Sequence, residues 1–332
     1  MKKFLKPTLI ILLVCILAVT VFCGGFALYI LNCSSAIGSR LIVDEDNNTL
    51  SVNDDKDLRI LQLSDTQITA YGDALKTLDI IKLTVDKAKP DLIVLTGDNL
   101  MNDSKQSMLK KYIRFMDKFE IPWAPVFGNH DYNVDATMDR QCELYESSKY
   151  CIFKKGTVKN SYGNYYYNIE RNGTPVYTLF FMDNGVSFTD AHLDWYANSV
   201  NAIAYETGKK LPSWVFFHIP LLETYYAYYH NLYNGTPIDG EMRDGGVTYL
   251  RDDAGFFEKV KELNSTTALI FGHNHRNNFI CDYQGIKFCY GLKTGRASYH
   301  DVDMLGGNLF LLKADNTFTV ERIFVEPMQN VY

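Results

Sequence analysis

Asp65 and Gln67, Asp98, the run Asn129-His130-Asp131, His218, and the pair His273 and His275 are side chains of this 332-residue chain that could hold metal ions and move protons. Carboxylates, amide oxygens and imidazoles are donors that suit divalent cations such as Mn, Fe or Zn. Each group closes an apolar run: "LRILQLS" precedes Asp65, "DLIVLTG" precedes Asp98, "WAPVFG" precedes Asn129, "SWVFF" precedes His218 and "TALIFG" precedes His273. Any one alone reads as a helix cap, a turn residue or a satisfied histidine. In the joint order Asp, Asp, Asn-His-Asp, His, His-x-His they read as one site, because in open α/β sheets ligands bind just past the carboxyl ends of strands.

The elements that must carry these residues follow from hydrophobic period. From Leu58 onward short apolar runs alternate with amphipathic ones, with helices expected over about 74–89 and 104–119, which predicts parallel βαβ units. The pattern then changes. Two strands about an Asn172-Gly173 turn predict a hairpin, 193–208 and 255–263 predict helices, and the remainder to Val325 reads as a β-meander. "ETYYAYYHNLY", Glu223 to Tyr233, is either an aromatic helix on the core or a pocket wall. The expected fold class is α/β, two packed mixed β-sheets flanked by helices and preceded by one transmembrane helix.

That last element rests on residues 1–31. Lys2, Lys3 and Lys6 form a basic stub over 1–7, and 8–31 follows without a charge, long enough for the roughly 30 Å hydrocarbon core. The positive-inside rule places the amino terminus in the cytoplasm and the rest outside, as a single-pass membrane protein with a signal anchor; the alternative is cleavage near Ser35 or Ala36 and secretion. Residues 32–57, acidic and rich in turn formers, read as a juxtamembrane linker, and 58–332 as the folded domain. A net charge of −6 with no long Lys/Arg run gives no footprint for nucleic acid. Cys142 with Cys151 and Cys281 with Cys289 are the expected disulfides of an oxidising compartment, reduced buried thiols being the alternative. The second pair faces each other only if the turn between them has three residues.

The same blocks, "SDTQ", "TGDN", "FGNHD", "FFHIP" and "FGHNH", resemble the calcineurin-like metallophosphoesterase superfamily over most of the span from Leu58 to about Asp301. "TGDNL", "PWAPVFGNHD", "FFHIPLLE" and "GHNHRNNF" look most like its purple-acid-phosphatase-like group, which has membrane or secreted members. The resemblance implies two divalent metal ions bridged by Asp98: one held by Asp65, Gln67, Asp98 and His275, the other by Asp98, Asn129, His218 and His273. It implies a four-layer sandwich, a phosphorylated substrate, hydrolysis by metal-bound hydroxide, and His130 assisting the leaving group with Asp131 holding its ring. Met101 stands where a purple enzyme carries its tyrosine ligand, so no tyrosinate-to-iron colour is expected.

Gln67 departs from the family pattern, which has histidine there. A glutamine carbonyl is a neutral oxygen donor, so this half of the site is expected to be weaker and to favour Mn, Mg or Ca; the alternatives are a Gln67 that points away with water in its place, and a disabled site. Arg276 after "GHNH", and Arg296 with Lys293, Tyr299 and His300 in "LKTGRASYHD", are candidates to clamp a phosphate, or else solvated surface charges. The expected activity is phosphomonoester hydrolysis. Diester hydrolysis of nucleotide, lipid-headgroup or surface-polymer substrates, and a metal-binding pseudoenzyme, are the alternatives.

Overall fold

The computed structural model describes residues 37–69, 73–185 and 187–325. A short hairpin of β1 (Ile42–Asp44) and β2 (Thr49–Val52) comes first. Two βαβ units follow: β3 (Leu58–Leu63), α1 (Asp73–Ala88), β4 (Leu92–Thr96), α2 (Gln106–Asp117) and β5 (Trp123–Val126). Then come α3 (Met138–Glu146), the hairpin of β6 (Tyr165–Arg171) and β7 (Thr174–Phe181), α4 (Asp190–Thr207), β8 (Ser213–Phe216) and α5 (Leu222–Asn234). The chain ends in β9 (Ile238–Asp239), α6 (Phe256–Leu263), β10 (Thr266–Phe271), a hairpin of β11 (Ile280–Tyr283) and β12 (Ile286–Tyr290), and a hairpin of β13 (Gly306–Leu312) and β14 (Phe318–Phe324).

These strands form two sheets, a nine-stranded one in the order β1-β2-β6-β7-β8-β10-β12-β11-β9 and a five-stranded one in the order β14-β13-β3-β4-β5. Pairing is parallel at β3–β4–β5, which reaches one edge of the small sheet, and at β7–β8–β10–β12, the centre of the large one. A parallel run is covered on both faces, which explains why β4 is buried at every residue. Pleat alternation in β8 shows the layers: Trp214 and Phe216 enter the core between the sheets, while Val215 and Phe217 enter a second core under the helices. Across the inter-sheet core the Trp214 and Phe216 rings lie 5.4 and 6.4 Å from that of Phe310 on β13. Truncating a side chain as buried as Trp214 typically costs about 3–5 kcal/mol.

Several expectations need correction. Residues 42–52, read from composition as linker, are two strands, with β2 parallel to β6 and Leu50 and Val52 buried. The acidic turn formers serve the hairpin itself, where Asp44 Oδ1 accepts from Asn47 N at 3.1 Å. The last strands are no single meander: after β12 the chain crosses from the large sheet to the small one, where β13 runs antiparallel to β3. That crossing lays residues 291–305 over the end of β3. The expected disulfides are absent, all four cysteines among the described residues being free. The turn between Tyr283 and Ile286 has two residues, so Cys281 pairs across to Phe288 and Cys289 to Ile280, which puts the two thiols on opposite faces. Cys142 sits on α3 and Cys151 in an extended segment bridged to Trp123. The expected hairpin turn at Asn172-Gly173 is present, both residues having positive φ, 49° and 74°. Residues 223–233 lie in helix α5, with Tyr228 packed on Phe279 of the core, so the aromatic-helix reading holds. Among the described residues no helix is long and apolar enough to cross a membrane; the expected span 8–31 lies outside them.

Candidate metal centre

Asp65, Asp98 and Asn129 follow β3, β4 and β5 of the small sheet, and His218 and His273 follow β8 and β10 of the large one. The carboxyl ends of both parallel runs thus point into one cleft. The backbone is unusual there: Asp65, Gln67, Asp98 and His273 have φ of 52°, 43°, 50° and 80°. Left-handed non-glycine residues cost of order 1–3 kcal/mol each and persist where surroundings over-determine them. Here the loops hold one another, with Gln67 N donating to Asp98 O at 2.8 Å, Asp65 N to Gly97 O at 3.2 Å and Gly295 N to Asp65 O at 3.1 Å. Gly97 and Gly128 permit this approach, because a Cβ on Gly97 would lie 2.5 Å from the His218 ring and one on Gly128 2.3 Å from Asp98 N.

Two groups of ligand atoms, each within 4.8 Å, share Asp98: one is Asp98, His218 and His273, the other Asp65, Asp98 and His275. In the first, His218 Nε2 lies 3.3 Å from Asp98 Oδ2 and 3.3 Å from His273 Nδ1. In the second, His275 Nε2 lies 3.3 Å from Asp65 Oδ1. The far nitrogens of two rings are tied back: His218 Nδ1–H donates to Thr96 O at 2.8 Å and His275 Nδ1–H to Tyr299 O at 2.9 Å. That arrangement turns each lone pair at Nε2 toward the cleft and is the usual support of a metal-ligating histidine. Buried Asp65 Oδ1 and Asn129 Oδ1 have no hydrogen-bond partner, as expected of atoms shaped to face a cation. The donor set therefore fits a divalent ion, and Asp98 is the residue common to both groups.

Burial disfavours charge on both carboxylates, but His275 and His218 hold Asp65, and His218 holds Asp98, below the usual range. His218 moves the other way. Burial opposes its protonation, yet the Asp98 carboxylate outweighs that and lifts it to about 9. His273 is pushed down to about 4 by burial and by the His218 charge. A cation at this group must displace the His218 proton at neutral pH. Its apparent affinity is thus expected to rise about tenfold per pH unit as pH climbs from 7 toward 9 and to level off above, with one proton released per ion. Calorimetric titration of metal-free protein in buffers of different ionisation enthalpy measures the proton count; a pH-independent affinity would contradict it.

Other expected residues fall differently. His130 reaches the cleft, its Nε2 3.6 Å from Asp98 Oδ2, but its Nδ1 is held at 2.8 Å by Asn102 Oδ1 and not by Asp131. Asp131 is fully buried and accepts from Gly128 N, Asn99 N and Leu100 N at 2.9, 3.1 and 2.9 Å. It ties the second and third loops together, and burial with the charge of Asp98 pushes its carboxyl up to about 7. Gln67 turns its carbonyl to Lys293 Nζ at 2.7 Å and its amide nitrogen to Asp98 Oδ2 at 3.4 Å. Arg276 pairs with Asp301 at 2.9 Å, and Arg296 is anchored through its backbone N–H to Thr77 on α1. Asn184, which no sequence pattern indicated, accepts from the backbone N–H of His218 and Ile219, each at 3.0 Å.

Comparison with known proteins agrees with this geometry. Residues 58–277 match the family model described as calcineurin-like phosphoesterase. A protein of Arabidopsis thaliana named probable inactive purple acid phosphatase 28 is 26% identical over 307 residues, which cover 76% of this chain and 74% of that one. Phosphatase DCR2 of Saccharomyces cerevisiae is 30% identical over 252 residues, 65% of this chain and 42% of that one. Among solved structures, a dimetal phosphatase from Danio rerio superposes with a TM-score of 0.54 at 11% identity, covering 81% of this chain and 99% of that chain, a likeness of fold.

Proposed function

The chain belongs to the calcineurin-like phosphoesterase family, and on that premise we propose that it is a metal-dependent phosphomonoesterase. The observation that carries the proposal is Asp98 standing in two donor groups at once, with His218 and His273 in one and with Asp65 and His275 in the other. Divalent cations bound there would polarise a phosphoryl oxygen and lower the pKa of a water. The chain's own residues supply the remainder. Carbonyls of Thr96 and Tyr299 fix the rings of His218 and His275, and the Asp131 contacts hold the loops that carry Asp98 and Asn129. His130, about a quarter exposed, lies at the open side of the cleft, where in its imidazolium form, with one N–H on Asn102, Nε2 would give the other proton to a leaving oxygen. Asn102 keeps the other ring nitrogen occupied, so Nε2 is the atom presented.

The names of the relatives support the phosphatase class, and the word inactive in one of them makes a direct assay decisive. p-Nitrophenyl phosphate and bis-p-nitrophenyl phosphate should be compared with Mn, Fe and Zn in turn. Faster turnover of the monoester is expected; preference for the diester would move the assignment to a phosphodiesterase. No hydrolysis of either by metal-replete protein would leave a metal-binding protein without turnover, the reading that the Lys293 contact to Gln67 favours. We also propose that residues 8–31 anchor the domain outside the cytoplasm. Recovery of the uncleaved full chain in the soluble fraction would reject that.

A further inference from the structure

The Asp65 half of the centre already contains a buried lysine side chain. Lys293 is 1% exposed, and its Nζ donates to Gln67 Oε1 at 2.7 Å and to Asp65 O at 3.1 Å. The segment that brings it there, on the crossing from β12 to β13, is fastened along the end of β3. Ser64 N donates to Thr294 Oγ1 at 3.1 Å, and Thr294 N donates back to Ser64 O at 2.8 Å. Gly295 offers no room for drift, since a Cβ on it would sit 2.0 Å from Thr66 O. Gln67 is fully buried between the ammonium and a carboxylate. An ammonium only donates and a carboxylate only accepts, so the amide has one sensible orientation, carbonyl to Lys293 and NH2 to Asp98. In that orientation the Gln67 carbonyl is engaged by Lys293, and an ion between Asp65 and His275 would have to share it with the ammonium.

The two halves are therefore unequal. One offers Asp98, His218 and His273; the other offers Asp65, Asp98 and His275, with the buried Lys293 Nζ donating to Asp65 O beside them. Asp65 and Asp98 are the two carboxylates of the ligand groups, and positive charge is counted against them. One dication plus Lys293 leaves a single net positive charge, whereas a second dication would leave three in a site shielded from solvent. We infer that Lys293, turned inward by Gln67, supplies the second positive charge of this centre, so that the chain holds one divalent ion firmly, in the Asp98–His218–His273 group. This rests on the metal-centre part of the proposed function and deepens it. Lys293 is thereby a positioning and charge-balancing residue.

Ion counting tests it on the full chain. After dialysis against buffered free Mn, and separately Zn, elemental analysis should give one ion per chain for the wild type and two for the double variant Gln67→His with Lys293→Met. His273→Ala should remove the single wild-type ion, while His275→Ala should leave it. Lys293→Gln keeps a hydrogen-bonding group without the charge and takes the place of Lys293→Met if that variant does not fold; with Gln67→His it too should bind the second ion at least tenfold more tightly than the wild type. Two equally firm ions in the wild type, or a count of one in the folded double variants, would overturn the inference and leave the hydrolase reading standing. A wild-type count of zero would overturn both.

Discussion

Asp98→Asn is expected to abolish metal retention and turnover together, with hydrolysis down at least about 10³-fold. Asp98 is the only side chain common to both ligand groups among the described residues, so one isosteric change removes a negative ligand from each. Metal ions contribute several kcal/mol to reactions of this class, and each 1.4 kcal/mol is a factor of ten, which sets the scale of the loss. The amide also changes local bonding. Its oxygen can still accept from His130 N, as Asp98 Oδ1 does at 2.8 Å, but its NH2 would confront Gln67 Nε2, now 3.4 Å from Asp98 Oδ2. His218 loses the charge that raises its pKa and titrates lower. The metal-free fold is expected to survive, because the repulsion between Asp98 and Asp65 disappears at the same time. The separating measurement is melting with and without saturating Mn. A ligand at 100 times its Kd stabilises by about 2.7 kcal/mol, and that gain should vanish in Asp98→Asn while the metal-free melting point stays close to wild type. A retained metal-induced shift would show that Asp98 is not a ligand of the bound ion.

The limits of sequence reasoning here have a physical pattern. The clustering of Asp65, Asp98, His218, His273 and His275 was legible because strand ends in parallel sheets share a rim, and an apolar run followed by a donor residue marks such an end. Their supports were not. Asn102 and Asn184 lie on loops with no period, and their roles depend on where His130 and the His218 backbone come to rest. Lys293 reads in sequence as a candidate phosphate clamp or a solvated charge, and only the crossing between sheets buries it against Gln67, 226 residues away. Asp131 follows His130 directly, yet one residue along a tight turn sends its side chain inward to the backbone of residues 99 and 100. The same lesson applies at Cys281 and Cys289, where one residue of turn length decides between facing thiols and thiols on opposite faces of a sheet.

His130→Ala is expected to keep the metal content of the wild type and lose roughly 10²-fold or more in turnover of an alkyl phosphate, the range for a missing general acid. Retention of metal follows from geometry, since the His130 side chain stands outside both ligand groups and its backbone N–H, which holds Asp98, is unchanged. The leaving group gives the finer test. A nitrophenolate departs without a proton, whereas an alkoxide needs one in the transition state, so the loss should be much smaller for p-nitrophenyl phosphate than for an alkyl phosphate. Plotted against leaving-group pKa, log kcat/KM should fall more steeply in the variant. Asn102→Ala should fall between the two enzymes, because the ring stays but loses the 2.8 Å contact that aims it. If His130 instead stabilises charge on the phosphoryl group, the loss will be equal for all leaving groups. Parallel lines in that plot would remove the proton-donor role and keep His130 as an electrostatic contact.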